Sequence, residues 1–126
     1  MTARFDTSPA AMAPYQEALR RRHQQDEQFR LARARRAWSA ARRCAEVLRD
    51  EFAAARVAVY GSLARATFGL RSDIDIAVWS VDPSLYFEAV ARLIDVGGEF
   101  EVNLAIYERC NTAMAIAIDR DSVDLP

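Results

Sequence analysis

The sequence predicts a single α/β domain in which helices pack on a small mixed β-sheet, and three observations carry that expectation. One long segment places its apolar residues at helical spacing, three short segments alternate or concentrate them as strands do, and Gly or Pro punctuates the intervals. A chain of 126 residues, 52% apolar and 28% charged, is long enough to bury one core but not two.

Residues 1–13 are expected to form a flexible arm, and residues 14–126 a single domain with an N-terminal helical extension. From Leu31 the apolar positions run Leu31, Ala34, Trp38, Ala41, Ala45, Leu48 and Phe52, which draws one stripe along a long helix. The preceding stretch "RRRHQQDEQ" has good helix formers but little apolar stripe, so a helix through it is a solvated or partner-bound extension. Residues 57–60 read as a buried strand ended by Gly61-Ser62. "SLARATF" is then a short helix, and "GLRS" a turn pivoting on Gly69. Residues 73–79 form a second strand with Ile74, Ile76 and Val78 on its inner face. Asp82-Pro83 starts a helix that runs to about Val96 and stops at Gly97-Gly98. "EFEVNLAIY" is the third strand, with Val102, Leu104 and Ile106 on one face and Glu101, Asn103 and Ala105 on the other. Residues 109–119 form a closing helix, and "DSVDLP" is a short strand or tail.

Charge divides the chain. Residues 1–50 hold 11 Arg against 6 acids, and residues 51–126 hold 6 Arg against 12 acids. The first part suits an acidic partner, and the second suits cations. All 17 basic residues are Arg, so the lysine of a phosphate-binding loop is absent and phosphate must be met by backbone N–H groups, Arg or metal. Cys44 and Cys110 lack metal-ligand spacing and are expected as reduced thiols. The N-terminal stretch has no continuous apolar core of a secretory signal, and no segment approaches a membrane span, so a cytoplasmic location without membrane contact is expected.

The chemistry gathers in "GSLARATFGLRSDID", residues 61–75. Asp73 and Asp75, two apart in a strand, project from one face, and two carboxylates at that spacing suit Mg²⁺, which takes its remaining ligands from substrate phosphates. Gly61 lets a backbone approach closely, and Ser62 adds a hydroxyl. A strand, Gly-Ser, a short helix, ten residues and a strand carrying Asp-x-Asp must coincide for this arrangement.

That pattern resembles the minimal nucleotidyltransferase (MNT) family of the polymerase-β-like superfamily, whose motif is Gly-Ser, ten residues, then Asp-x-Asp. Arg65 and Ser72 also match positions commonly used around the motif. The resemblance covers the chain from roughly Leu31 onward and implies the polymerase-β-like fold. It implies transfer of a nucleoside monophosphate from an NTP, with Mg²⁺ as cofactor and ATP as substrate. Many members are antitoxins that adenylylate a tyrosine on a HEPN-type ribonuclease toxin, so such a toxin is the implied partner. Asp73 and Asp75 are the implied metal ligands and, with Asn103, the implied catalytic positions. Gly61, Ser62, Arg65 and Ser72 are the implied nucleotide-binding positions. The family's third carboxylate sits in a Val-Asp-Leu-like context where this chain reads Val102-Asn103-Leu104. Asn is neutral and cannot act as a carboxylate base. Glu101, on the same strand face, is the alternative third acid, and Ala66 stands where Gly is frequent. A catalytically degenerate domain that neutralises its partner by contact alone is the alternative function.

Arg65, three residues after Ser62, is placed to reach phosphate or to pair with an acid, and Arg71 lies in the turn before Asp73. His23 stands alone in a polar stretch and is read as solvated. Tyr60, Tyr86, Tyr107, Trp38 and Trp79 are read as core or half-buried. The arginines around residues 20–22 and 33–36 form a solvated face or a dock for an acidic protein. No aromatic platform for bases is interleaved with them, which disfavours direct nucleic-acid binding. The N-terminal helix is the expected site of any homo- or hetero-oligomer.

Overall fold

The computed structural model describes residues 6–126 and contains helix α1 (Pro9–Phe52), strand β1 (Arg56–Tyr60), helix α2 (Gly61–Ala64), strand β2 (Ile74–Trp79), helix α3 (Tyr86–Val96), strand β3 (Val102–Ile106), helix α4 (Thr112–Asp121) and strand β4 (Val123–Asp124). Short 3₁₀ turns at Pro83–Leu85 and Tyr107–Arg109 lead into α3 and follow β3. The sheet order is β3-β2-β1-β4. β1 is antiparallel to both β2 and β4, whereas β2 and β3 run parallel. The expected mixed sheet and long N-terminal helix are both present.

α1 begins earlier than expected. Ser8 accepts the Ala11 N–H at 3.3 Å and Pro9 opens the first turn, so residues 9–13 of the expected arm are helical; residues 1–5 of that arm lie outside the described residues. This is the same cap-then-proline signal that Asp82-Pro83 gives before α3, where Asp82 accepts the Ser84 N–H at 2.9 Å.

Every buried residue of α1 lies from Ala37 onward: Ala37, Ala40, Ala41, Cys44, Ala45, Leu48 and Phe52. The run of alanines lets the helix axis approach the sheet closely. With Ala89 and Leu93 of α3, these residues cover the sheet face carrying Val57, Val59, Ile74, Ile76, Val78, Leu104 and Ile106. The opposite face presents Ala58 and Ala77, both fully buried, with Ile118 of α4 buried on its side of the fold. Asp75 and Asn103 alternate with the core-facing residues and therefore belong to this second face.

Other boundaries also differ from the sequence expectation. β1 begins at Arg56 and β2 at Ile74, leaving Asp73 in the approach to the strand; β3 is confined to Val102–Ile106; α4 runs over Thr112–Asp121 instead of 109–119; and α2 stops at Ala64 instead of running through "SLARATF". The cause of the last is Ala66, which adopts φ +61° and ends the helical path. A left-handed alanine is strained relative to glycine. Ala66→Gly is therefore expected to stabilise the domain by about 0.5–1 kcal/mol in urea denaturation, the strain relieved exceeding the entropy that glycine adds to the unfolded chain. Among the described residues, no helix is long and apolar enough to cross a membrane.

Candidate active site

The site is built where β1 hands over to α2, beside the N-terminal end of β2. β1 pairs Tyr60 with Asp75, and β3 pairs Asn103 with Asp75, so three neighbouring strands bring these residues level. Gly61 follows immediately at φ +71°, and a Cβ there would stand 2.2 Å from Asp75 Oδ2 and 3.1 Å from its Cγ. Glycine is thus required twice, for its backbone conformation and for the space the carboxylate occupies.

The two oxygens of Asp75 have different surroundings. Oδ1 accepts a hydrogen bond from Asn103 Nδ2 at 3.0 Å, while Oδ2 packs over Gly61. The Asp75 carboxyl is held above its ordinary 3.8, first by burial and further by the negative charge of Asp73; the Asn103 hydrogen bond and the Arg65 charge pull the other way. The folded form therefore binds this proton more tightly than the unfolded chain does. The associated stability is present below the unfolded value and is lost as pH rises through the folded one. At neutral pH the half-buried Asp75 carboxylate sits beside Asp73, offset only in part by the Asn103 hydrogen bond and the Arg65 charge, which is the electrostatic situation a divalent cation relieves.

Half-buried Tyr60 stays protonated beside this pair, its phenol pushed up to about 12 by burial and then by Asp75, Cys110 and Tyr86. Arg65 reaches Asp121 of α4 at 3.4 Å, and Asp121 is held from the other side by Arg120 at 3.0 Å. Of the two roles left open for Arg65, the observed contact is the ion pair, although its charge is still felt at Asp75. Ser72 accepts the Gly69 N–H at 2.8 Å and so closes the turn that leads into Asp73. The alternative third acid, Glu101, is not assembled: it precedes β3, its carbonyl accepts the Ile74 N–H at 2.9 Å, and no group of three acidic, His or Cys side chains suited to a metal occurs among the described residues. His23 is exposed, as expected.

Arg33 belongs neither to a solvated face nor to a dock for an acidic protein, the two roles expected for its group of arginines: its Nη1 donates to the Gly69 carbonyl at 2.6 Å and the Ser72 carbonyl at 3.1 Å. Its guanidinium also lies 4.9 Å from the ring centroids of both Phe68 and Phe100. One side chain of α1 thereby fixes both ends of the turn before Asp73. The available signal was spacing, because Arg33 falls four residues before Ala37 and continues the buried stripe. Arg33→Ala is expected to cost about 2 kcal/mol in urea denaturation, with Arg33→Lys recovering only part because an ammonium lacks the planar fork and ring-stacking face.

Across residues 41–116, more than half of the chain, the sequence matches the family described as the nucleotidyltransferase domain. The chain belongs to that family. The match includes Gly61, Ser62, Asp73, Asp75 and Asn103, so the site geometry and the family assignment concern the same segment. Among the solved structures that share the fold of this nucleotidyltransferase domain are two of toxin–antitoxins. A structure of a toxin–antitoxin with AMP-PNP superposes with a TM-score of 0.58 at 23% identity, covering 67% of this chain and 70% of that one. A mutant of the toxin–antitoxin MntA-HpeT superposes with a TM-score of 0.55 at 20% identity, covering 65% and 68%. No curated protein matches the sequence.

Proposed function

We propose that this nucleotidyltransferase domain transfers AMP from Mg-ATP to a side chain of a partner protein, a HEPN-type ribonuclease toxin, and thereby acts as its antitoxin in the cytoplasm. The observation that carries this reading is Asp75, packed over a glycine that admits no Cβ and charged alongside Asp73. The likeness to a toxin–antitoxin with AMP-PNP supports the choice of nucleotide and partner class.

The residues present fit Mg²⁺: Asp73 and Asp75 offer hard carboxylate oxygens, and Asn103 offers an amide oxygen if its side chain turns over. When bound, the cation supplies charge neutralisation to the triphosphate and to the pair. Gly61 gives the phosphates close access to the backbone, and Ser62 offers its hydroxyl to them, with Arg65 and Ser72 at the margin. The acceptor hydroxyl oxygen then bonds to the α-phosphorus, the bond to the bridging oxygen breaks, pyrophosphate leaves, and the hydroxyl proton passes to water. The neutral Asn103 offers no carboxylate to take that proton, so transfer is expected to be slow compared with nucleotide binding.

The hydrogen bond from Asn103 to Asp75 favours a second reading, in which the domain binds its partner without transferring nucleotide. The test is the intact mass of the protein encoded by the neighbouring gene after incubation with this chain, ATP and Mg²⁺, with Asp73→Ala as control. An AMP-sized increment lost in the variant supports transfer. A stable complex without any increment supports neutralisation by contact alone.

A further inference from the structure

The N-terminal half of α1 has no buried residue and extends past the body that packs on Ala37–Phe52. Tyr15 is 61% exposed and Phe29 68% exposed. A helical segment of this length gains little stability by itself and draws most of it from packing an apolar face. Its sequence places apolar residues at the two ends of one line and polar ones at its middle: Tyr15, Ala18, Arg22, Gln25, Phe29 and Ala32 follow the 3,4,3,4,3 spacing of a two-stranded coil's seam. Part of this line is a groove of about 680 Å³ lined by Gln25, Gln28, Phe29, Ala32 and Arg35.

We infer that this segment pairs antiparallel with the same segment of a second copy of the chain, about a two-fold axis between His23 and Gln24. That register sets large against small, Tyr15 opposite Ala32 and Phe29 opposite Ala18, with Arg22 opposite Gln25. It also lays the basic turn Arg20-Arg21-Arg22 of each copy along the acidic turn Asp26-Glu27 of the other. Within one helix Arg22 and Asp26 are four residues apart and within reach of each other, yet among the described residues Arg20, Arg21, Arg22 and Asp26 have no ion-pair partner, while Glu27 pairs with Arg30. A closed two-fold interface requires one patch to complement itself, and a basic turn followed by an acidic turn does so only in the antiparallel sense. A parallel pair would set Arg20–Arg22 of both copies side by side. The same line continues along α1 to Arg36, which pairs with Glu99 of the body at 3.1 Å, so the inferred pairing is confined to residues 15–32. This inference is independent of the proposed activity.

The test is sedimentation velocity on the full chain at about 100 μM in low salt, with Arg22→Asp, Asp26→Arg and the combined exchange as variants. The expected result is a species of twice the 14.2 kDa chain mass for the natural sequence, monomer for either single reversal, and return of the dimer in the double exchange. Helix content by circular dichroism separates loss of pairing from loss of folding. Direction is read by oxidising an equimolar mixture of Ala18→Cys and Phe29→Cys, each in a Cys110→Ser background; the mixed disulfide should form at least about fivefold more than either like pair. A natural sequence that stays monomeric, or single reversals that leave the dimer intact, would overturn the inference, and a monomer that pairs only with another protein would assign the face to that partner.

Discussion

Gly61→Ala is expected to abolish Mg-dependent nucleotide binding and to cost about 1–3 kcal/mol of stability. The added methyl group cannot coexist with Asp75 Oδ2 at 2.2 Å, and an L side chain at φ +71° adds strain to the clash. The carboxylate must rotate or β2 must move away from β1. Either response pulls Asp75 away from Asn103 and from the backbone that meets the phosphates. Calorimetric titration with Mg-AMP-PNP, beside urea denaturation of the same variant, checks both parts. Gly69→Ala is the control, because a Cβ there meets only Ser72 Oγ at an ordinary 3.6 Å. Binding by Gly61→Ala at the natural affinity would mean that the close approach between residues 61 and 75 has no part in the site.

Asn103→Asp is expected to raise the rate of AMP transfer at least about tenfold while making the metal-free domain less stable by about 1 kcal/mol. The two effects share one cause. The substitution removes the 3.0 Å donor to Asp75 Oδ1 and adds a negative charge beside Asp75, whose carboxyl is already held above the ordinary carboxylate range. Without a cation those charges repel; with Mg²⁺ bound, Asp73, Asp75 and Asp at position 103 would hold it, and the new carboxylate would offer an acceptor for the hydroxyl proton. Thermal denaturation should therefore show a larger Mg²⁺-induced rise in Tm for Asn103→Asp than for the natural sequence. A transfer rate unchanged by the substitution would indicate that position 103 lies outside the reacting atoms.

Most of the architecture was legible because its signals are local. Ile74, Ile76 and Val78 alternate, Val102, Leu104 and Ile106 alternate, and both sets face the core as their period requires. The spacing from Gly61-Ser62 to Asp73-Ile74-Asp75 likewise announced the site, because a strand pair closed by a turn brings those residues together. What was not legible depends on contacts distant in the chain. Arg33 lies 36 residues from Gly69 and 39 from Ser72, so its bonds to the turn could not be read from helical spacing alone. The pairing of Arg65 with Asp121 awaited the placement of α4, and the close approach of Gly61 to Asp75 emerged only with the register of β1 on β2. The early start of α1 was a local signal overlooked, since Ser8-Pro9 is the same device as Asp82-Pro83.

The claim that Asp73 and Asp75 form a metal-dependent nucleotide site is tested most directly by titrating the natural chain and the Asp73→Asn/Asp75→Asn double variant with AMP-PNP, each with Mg²⁺ and with EDTA. Saturable binding at one site is expected for the natural chain with Mg²⁺, none with EDTA, and none for the double variant. The variant's metal-free stability at neutral pH should equal or exceed that of the natural chain, because the half-buried Asp75 carboxylate and the like charge beside it have been made neutral. Equal binding by a folded double variant, or no Mg²⁺-dependent binding by the natural chain, would contradict the claim.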